Sequence, residues 1–144
     1  MRLTLNGEAV DLDARSDEML LGALRAAGLL SVRETCGIGV CGACTVLLDG
    51  AAVSGCLVLA RAAEGRDVTT VEGLGGDDPV QRAFAAAHAF QCGYCTPGMI
   101  LTAKAFLAET PSPTEEEIRV ALAGNLCRCG SYVKIIEAVK EAAT

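Results

Sequence analysis

The chain has 144 residues, of which 51% are apolar but only 3% aromatic, with no tryptophan. That is ample for one or two packed domains with an aliphatic core, and it argues against disorder. Twelve Lys and Arg against 18 Asp and Glu leave a net charge of −6, which opposes nucleic acid and anionic lipid as partners.

Met1-Arg2-Leu3-Thr4-Leu5 carries no basic segment followed by an apolar run and a small-residue cleavage site, so no secretion signal is read there. The most apolar windows, Gly55 to Ala60 and Met99 to Leu107, are short or interrupted by Lys104 and fall below the roughly 20 residues that span a bilayer. The expectation is a soluble, cytoplasmic chain with no membrane span. Eight cysteines in a reducing compartment then point to metal ligation rather than disulfides.

In chain order, residues 3 to 12 alternate weakly around Asn6-Gly7, a pair that tolerates positive φ and predicts a hairpin. Ser16, Asp17 and Glu18 precede Met19, Leu20, Leu21, Leu24 and Ala27, with Gly28 behind them, which predicts one amphipathic helix capped by Ser16. Thr45 to Leu48, Asp49-Gly50 and Ala51 to Val53 make a second hairpin, and Val68 to Val71 a further strand. The stretch Gly73 to Pro79 is rich in Gly, Asp and Pro, and strand signals stop beyond it. The expected units are therefore residues 1–75, sheet with one helix, and 76–144, all helical.

Four helices are expected in the second unit: Val80 to Phe90, Thr96-Pro97 to about Ala108, Thr114 to Gly124, and about Ser131 to Ala142. Thr114 with Glu117 is a capping box, and Thr96-Pro97 offers a cap and an N1 proline. His88, the only histidine, is read as a surface or packing residue, and Glu115 to Glu117 as first-turn acids matched to the helix dipole.

Cys36, Cys41 and Cys44 follow C-x4-C-x2-C, with eleven residues between Cys44 and Cys56. This is the plant-type spacing for a 2Fe-2S cluster, a one-electron centre. Gly37, Gly39 and Gly42 let the backbone curl and aim amides at sulfur, which stabilises the reduced cluster. A structural zinc site is the alternative, although zinc more often takes paired C-x2-C units. Cys92-x2-Cys95 and Cys127-x-Cys129 make a second set of four at helix-loop junctions. Spacing alone leaves zinc or unconnected buried thiols open for that set.

The segment Cys36-Gly37-Ile38-Gly39-Val40-Cys41-Gly42-Ala43-Cys44-Thr45-Val46 resembles the first cluster motif of the molybdenum hydroxylase, or xanthine oxidase, family. Gln91-Cys92-Gly93-Tyr94-Cys95-Thr96-Pro97-Gly98-Met99 and Gly124-Asn125-Leu126-Cys127-Arg128-Cys129 resemble its two remaining signatures, in the same order. Gly130-Ser131 stands where many members have Thr-Gly, and Val40 where a polar residue is common; no ligand is affected.

The resemblance implies an α+β chain, a ferredoxin-like β-grasp domain followed by a four-helix bundle, with two 2Fe-2S clusters. It implies that the cluster on Cys92, Cys95, Cys127 and Cys129 lies beside molybdopterin on a large subunit, with Gln91 and Cys129 approaching the pterin. The cluster on Cys36, Cys41, Cys44 and Cys56 then faces FAD on a medium subunit. Electrons pass from molybdenum to FAD within a dimer of heterotrimers, and the substrate is chosen on another chain. The competing expectations are a free-standing ferredoxin-like carrier and a zinc-bound interaction module. Arg128 is read as a cation offsetting cluster charge or merely solvated, and Tyr94 as a shield over the second cluster or a packing residue.

Overall fold

The computed structural model describes residues 1–143. β1 (Arg2–Leu5) and β2 (Glu8–Asp11) form an antiparallel hairpin, with Leu5 opposite Glu8. Asn6 and Gly7 both adopt positive φ, 53° and 85°, which matches the twist of a two-residue turn to that of the strands. β3 (Thr45–Leu48) and β4 (Ala51–Ser54) repeat the device around Asp49 and Gly50, at 50° and 83°. β5 (Asp67–Thr69) lies between them, parallel to β1 and antiparallel to β3, so the five-stranded mixed sheet runs β2-β1-β5-β3-β4. β5 starts and stops earlier than the predicted 68–71 strand, because Val71 opens a short 3-10 turn to Leu74.

α1 (Leu20–Ala26) buries Leu20, Leu21 and Leu24 against Leu3, Val46 and Val68 of the sheet. It begins later than the predicted cap at Ser16. Met19 pairs with Leu59, the Glu18 carbonyl accepts from Ala60 N, and Leu20 N donates to the Val58 carbonyl. These bonds hold residues 18–20 extended against the chain that follows Cys56, so the acids cannot enter the helix. The other end behaves as expected: Gly28 at φ 90° closes α1, with Leu29 N bonded to the Leu24 carbonyl and Gly28 N to the Arg25 carbonyl.

α2 (Pro79–Ala86), α3 (Thr96–Glu109), α4 (Glu115–Ala121) and α5 (Tyr132–Ala142) share a second core built on Phe84, Met99, Ile100, Ile118, Ile135 and Val139. α2 packs on α5 and α3, and α4 on α3 and α5. Asp78 caps α2 by accepting from Val80 N at 2.9 Å, and its other oxygen meets Lys104 Nζ at 2.6 Å. The capping box at Thr114 and Glu117 forms as predicted. α2 stops four residues short of Phe90 because His88 turns to φ 50°. α3 begins at Thr96 with Cys95 as its cap residue, and the Thr96 hydroxyl, expected to cap, is buried without a partner. On α5 the buried stripe is Ile135, Ile136, Ala138 and Val139, leaving Val133 exposed.

The sheet unit and the helical unit meet along α3, which packs on β3 and β4 as well as on α2 and α4. Both cysteine loops emerge at that seam.

Candidate iron-sulfur centres

Residues 33–44 follow the turn that closes α1 and reach β3 without regular structure, as a loop that must present three side chains from three directions. Gly37, Gly39 and Gly42 all sit at positive φ, between 67° and 76°. The thiols of Cys36 and Cys41 are in contact, as are those of Cys44 and Cys56, and Cys41 lies within electrostatic reach of Cys44. Amides of Ile38, Cys41 and Val40 converge on Cys36 and pull its thiol down to about 6; the Val40 N to Sγ distance is 3.4 Å. Burial pushes Cys44 up to about 11, with the neighbouring Cys56 adding to it. Cys44 and Cys56 are buried and Cys36 and Cys41 half-buried, so this site has one dry side and one open side. Ile38, Val40 and Leu57 stand exposed around the open side.

The second set comes from two helix ends. Cys92 and Cys95 precede α3, and Cys127 and Cys129 lie between α4 and α5. Cys92 contacts Cys129, Cys95 contacts Cys127, and Cys92 is within electrostatic reach of Cys95 and Cys127. Tyr94 N points at Cys92 Sγ at 3.5 Å and lowers that thiol, with Cys129 adding to the effect. Burial raises Cys127, but the Ser131 amide, the Cys95 thiol and the amides of Cys129 and Gly130 together outweigh it and the thiol is held low; Ser131 N lies 3.5 Å from Sγ. Burial pushes Cys95 up to about 12.

Each set is thus two contacting pairs. Among the described residues, no three histidine, cysteine or acidic side chains close around one ion position. Pairs of pairs fit a two-iron cluster, in which two bridging sulfides leave each tetrahedral iron two places for thiolates. Amides aimed at sulfur suit a group that becomes more negative on reduction.

Several residues at the site carry no periodic or spacing signal. The Tyr94 hydroxyl donates to the Glu34 carbonyl at 3.0 Å and accepts from Thr35 Oγ1 at 3.3 Å, and the Arg33 guanidinium lies 5.3 Å from its ring centroid. Tyr94 therefore reaches across to the first loop instead of packing on its own helices. Tyr132 Oη accepts from Cys127 N at 2.7 Å. Gln91 is exposed and its Nε2 donates to the Cys129 carbonyl at 3.3 Å. Arg128 lines a cavity of about 430 Å³ together with Tyr94, Tyr132, Cys41, Cys92 and Cys127, so one cavity touches thiols of both sets.

Residues 3–71 match the family described as a 2Fe-2S iron-sulfur cluster binding domain, and residues 70–140 match a second, described as a 2Fe-2S binding domain. The class is therefore an iron-sulfur protein with two 2Fe-2S domains in one chain. The nicotinate dehydrogenase small FeS subunit of Eubacterium barkeri is 50% identical over 146 residues, covering 99% of this chain and 93% of that one. The nicotine 6-hydroxylase small subunit of Paenarthrobacter nicotinovorans is 52% identical over 116 residues, covering 79% of this chain and 70% of that one. Among solved structures, quinoline 2-oxidoreductase from Pseudomonas putida 86 superposes with a TM-score of 0.93 at 44% identity, over 99% of this chain and 92% of that chain. Aldehyde oxidoreductase from Desulfovibrio desulfuricans matches at 0.92 and 43% over 99% of this chain, but there the match is 16% of a longer polypeptide. The chain belongs to the small iron-sulfur subunits of the molybdenum hydroxylase family. No helix of the described residues is long and apolar enough to cross a membrane.

Proposed function

We propose that the chain relays electrons through two 2Fe-2S clusters, one held by Cys36, Cys41, Cys44 and Cys56 and the other by Cys92, Cys95, Cys127 and Cys129. The observation that carries this is the pairing of thiols within each set, with amides directed at Cys36, Cys92 and Cys127. The clusters supply one-electron storage when bound. The chain's own residues hold them, dry one side of the first site through Cys44 and Cys56, and keep the two sites against one another across the seam.

The electrons come from a molybdopterin site on a large subunit, near Gln91 and Cys129, and leave to FAD on a medium subunit past the first cluster, in a cytoplasmic dimer of heterotrimers. The relatives' names as small subunits and the exposed positions of Gln91 and of the apolar Ile38, Val40 and Leu57 support that arrangement. The two units divide at Gly75, a β-grasp domain over 1–75 and a four-helix bundle over 76–144. Two separate cores and two family matches meeting near residue 70 support this division.

Metal and sulfide analysis tests the reading: about four iron and four acid-labile sulfide per chain are expected, two of each per cluster. Zinc without sulfide overturns it. Native purification should recover large and medium chains with molybdenum and flavin; recovery of this chain alone favours a free-standing carrier.

A further inference from the structure

The two cysteine loops belong to different cores, yet one side chain fastens them together. Asn125, only 5% exposed and two residues before Cys127, donates from Nδ2 to the Gly42 carbonyl at 3.1 Å and to Thr45 Oγ1 at 3.4 Å. Its Oδ1 accepts from Thr102 Oγ1 of α3 at 3.0 Å. Thr45 Oγ1 closes the network by donating to the same Gly42 carbonyl at 2.7 Å. One residue further on, Leu126 N donates to the Cys41 carbonyl at 2.9 Å. A single hydrogen bond and one peptide unit therefore connect Cys41 of the first set with Cys127 of the second.

An apolar residue at 125 would fill the same space but would leave the Thr102 hydroxyl and the Gly42 carbonyl short of a partner, and it would not set the register of the two cores. Hydrogen bonds are directional, and a buried amide that finds partners on the first loop, on β3 and on α3 permits one placement of the loops. The fit leaves no slack, since a Cβ on Gly42 would lie 2.5 Å from Asn125 Nδ2 and 2.5 Å from the Gly124 carbonyl.

We infer that Asn125 is a positioning residue for electron transfer between the clusters, holding the loops in the register in which Leu126 N meets the Cys41 carbonyl. The inference rests on the ligand assignment proposed above. The step moves one electron, so that the cluster on the helical unit is oxidised by one equivalent as the cluster on the sheet unit is reduced by one. Coupling for such a step falls steeply with separation and with the loss of a bonded bridge, so small displacements matter.

The test uses the assembled protein, with Asn125→Asp and Thr102→Val. The Asp variant keeps an acceptor for Thr102 but sets an oxygen against the Gly42 carbonyl; the Val variant leaves both Nδ2 bonds and frees the amide's other end. Electron paramagnetic resonance is recorded at partial and at full reduction. In the parent, two spin-half signals should split each other when both clusters in a chain are reduced. Asn125→Asp is expected to keep both single signals but to lose or reshape the splitting, and rapid-mixing kinetics should show slower transfer between clusters. Thr102→Val should change both in the same direction by less. A lowered melting temperature with an unchanged splitting overturns the inference. If the Asp variant fails to assemble its clusters, unchanged splitting in the Val variant does the same. A parent with one spin-half signal instead overturns the ligand assignment, and the inference with it.

Discussion

The backbone of Gly98 in α3 lies so close to Gly42 of the first cysteine loop that a Cβ on Gly98 would stand 2.3 Å from the Gly42 carbonyl oxygen. In most helices, Ala in place of Gly stabilises by about 1 kcal/mol. Here the new methyl meets a backbone oxygen already committed to Thr45 and Asn125, so it cannot be accommodated by a rotamer change. Gly98→Ala is expected to destabilise by roughly 1–3 kcal/mol, the usual cost of overpacking. Urea or thermal midpoints of the cluster-loaded protein check this; an Ala variant as stable as the parent refutes the close approach.

Tyr94 sits between two thiols of its own loop yet spends its hydroxyl on the Glu34 carbonyl. Tyr94→Phe removes that bond and keeps the ring under Arg33, so a loss of about 0.5–1.5 kcal/mol is expected, toward the low end because the residue is half exposed. Tyr94→Ala also removes a wall of the cavity beside Cys92 and Cys127. Water admitted there solvates the extra negative charge of a reduced cluster, so the second cluster's potential should rise in the Ala variant and scarcely move in Phe. A redox titration resolving the two clusters decides it.

His88 occupies the place a glycine usually takes beyond a helix end. Ala89 N bonds to the Phe84 carbonyl at 2.9 Å and His88 N to the Ala85 carbonyl at 3.2 Å, the two bonds that close a helix on a left-handed residue. An L side chain there costs about 1–2 kcal/mol, less for histidine than for a branched residue. His88→Gly should therefore stabilise the protein by about 1 kcal/mol without changing either cluster spectrum. A destabilised Gly variant points to a contact of the imidazole.

What the sequence made legible follows the range of the forces involved. Asn6-Gly7, Asp49-Gly50, the Thr114 capping box and Gly28 act within a few residues, and all are found where the sequence places them. α1 starts later than its local sequence suggests because residues 18–20 bond to residues 58–60, a partner that local propensity does not see. The end of α2 was hidden because His88, unlike glycine, does not announce a left-handed turn. The cysteine spacing marks out the two sets of thiols, but the contacts of Tyr94 with Glu34 and of Asn125 with Gly42 span 60 and 83 residues. They exist only once the two cores have met.

Glu115 offers a charge-based check on the helical unit. Lys140 Nζ at 2.5 Å and Arg119 at 2.7 Å hold its carboxyl down at about 2. A folded-state value below the unfolded one means the ion pairs contribute fully above the ordinary Glu range and are lost as pH falls toward 2. At about pH 4 an ordinary Glu is largely protonated, whereas Glu115 should remain ionised. Carboxyl-carbon NMR follows this, and Lys140→Gln should move the midpoint back upward. Because the site is exposed, high salt should weaken the effect.

Replacing one thiol tests whether the two centres are independent. Cys129 contacts Cys92 and accepts from Gln91 through its carbonyl, while no residue of the first set touches its side chain in the described network. Cys129→Ser should disturb the second cluster's resonance signal, lower iron and sulfide content, and slow delivery of electrons from the molybdenum side. The first cluster's signal should persist, because Cys36, Cys41 and Cys44 lie on the loop before β3, and Cys44 and Cys56 are anchored in the sheet core. The reciprocal variant Cys56→Ser should abolish the first signal. It should reach the second more readily than the reverse, since Leu126, beside Cys127, hangs on the Cys41 carbonyl. Simultaneous loss of both signals in Cys129→Ser would mean that the seam at Asn125 and Gly42 binds the two units into one folding unit, and the division at Gly75 would have to be abandoned.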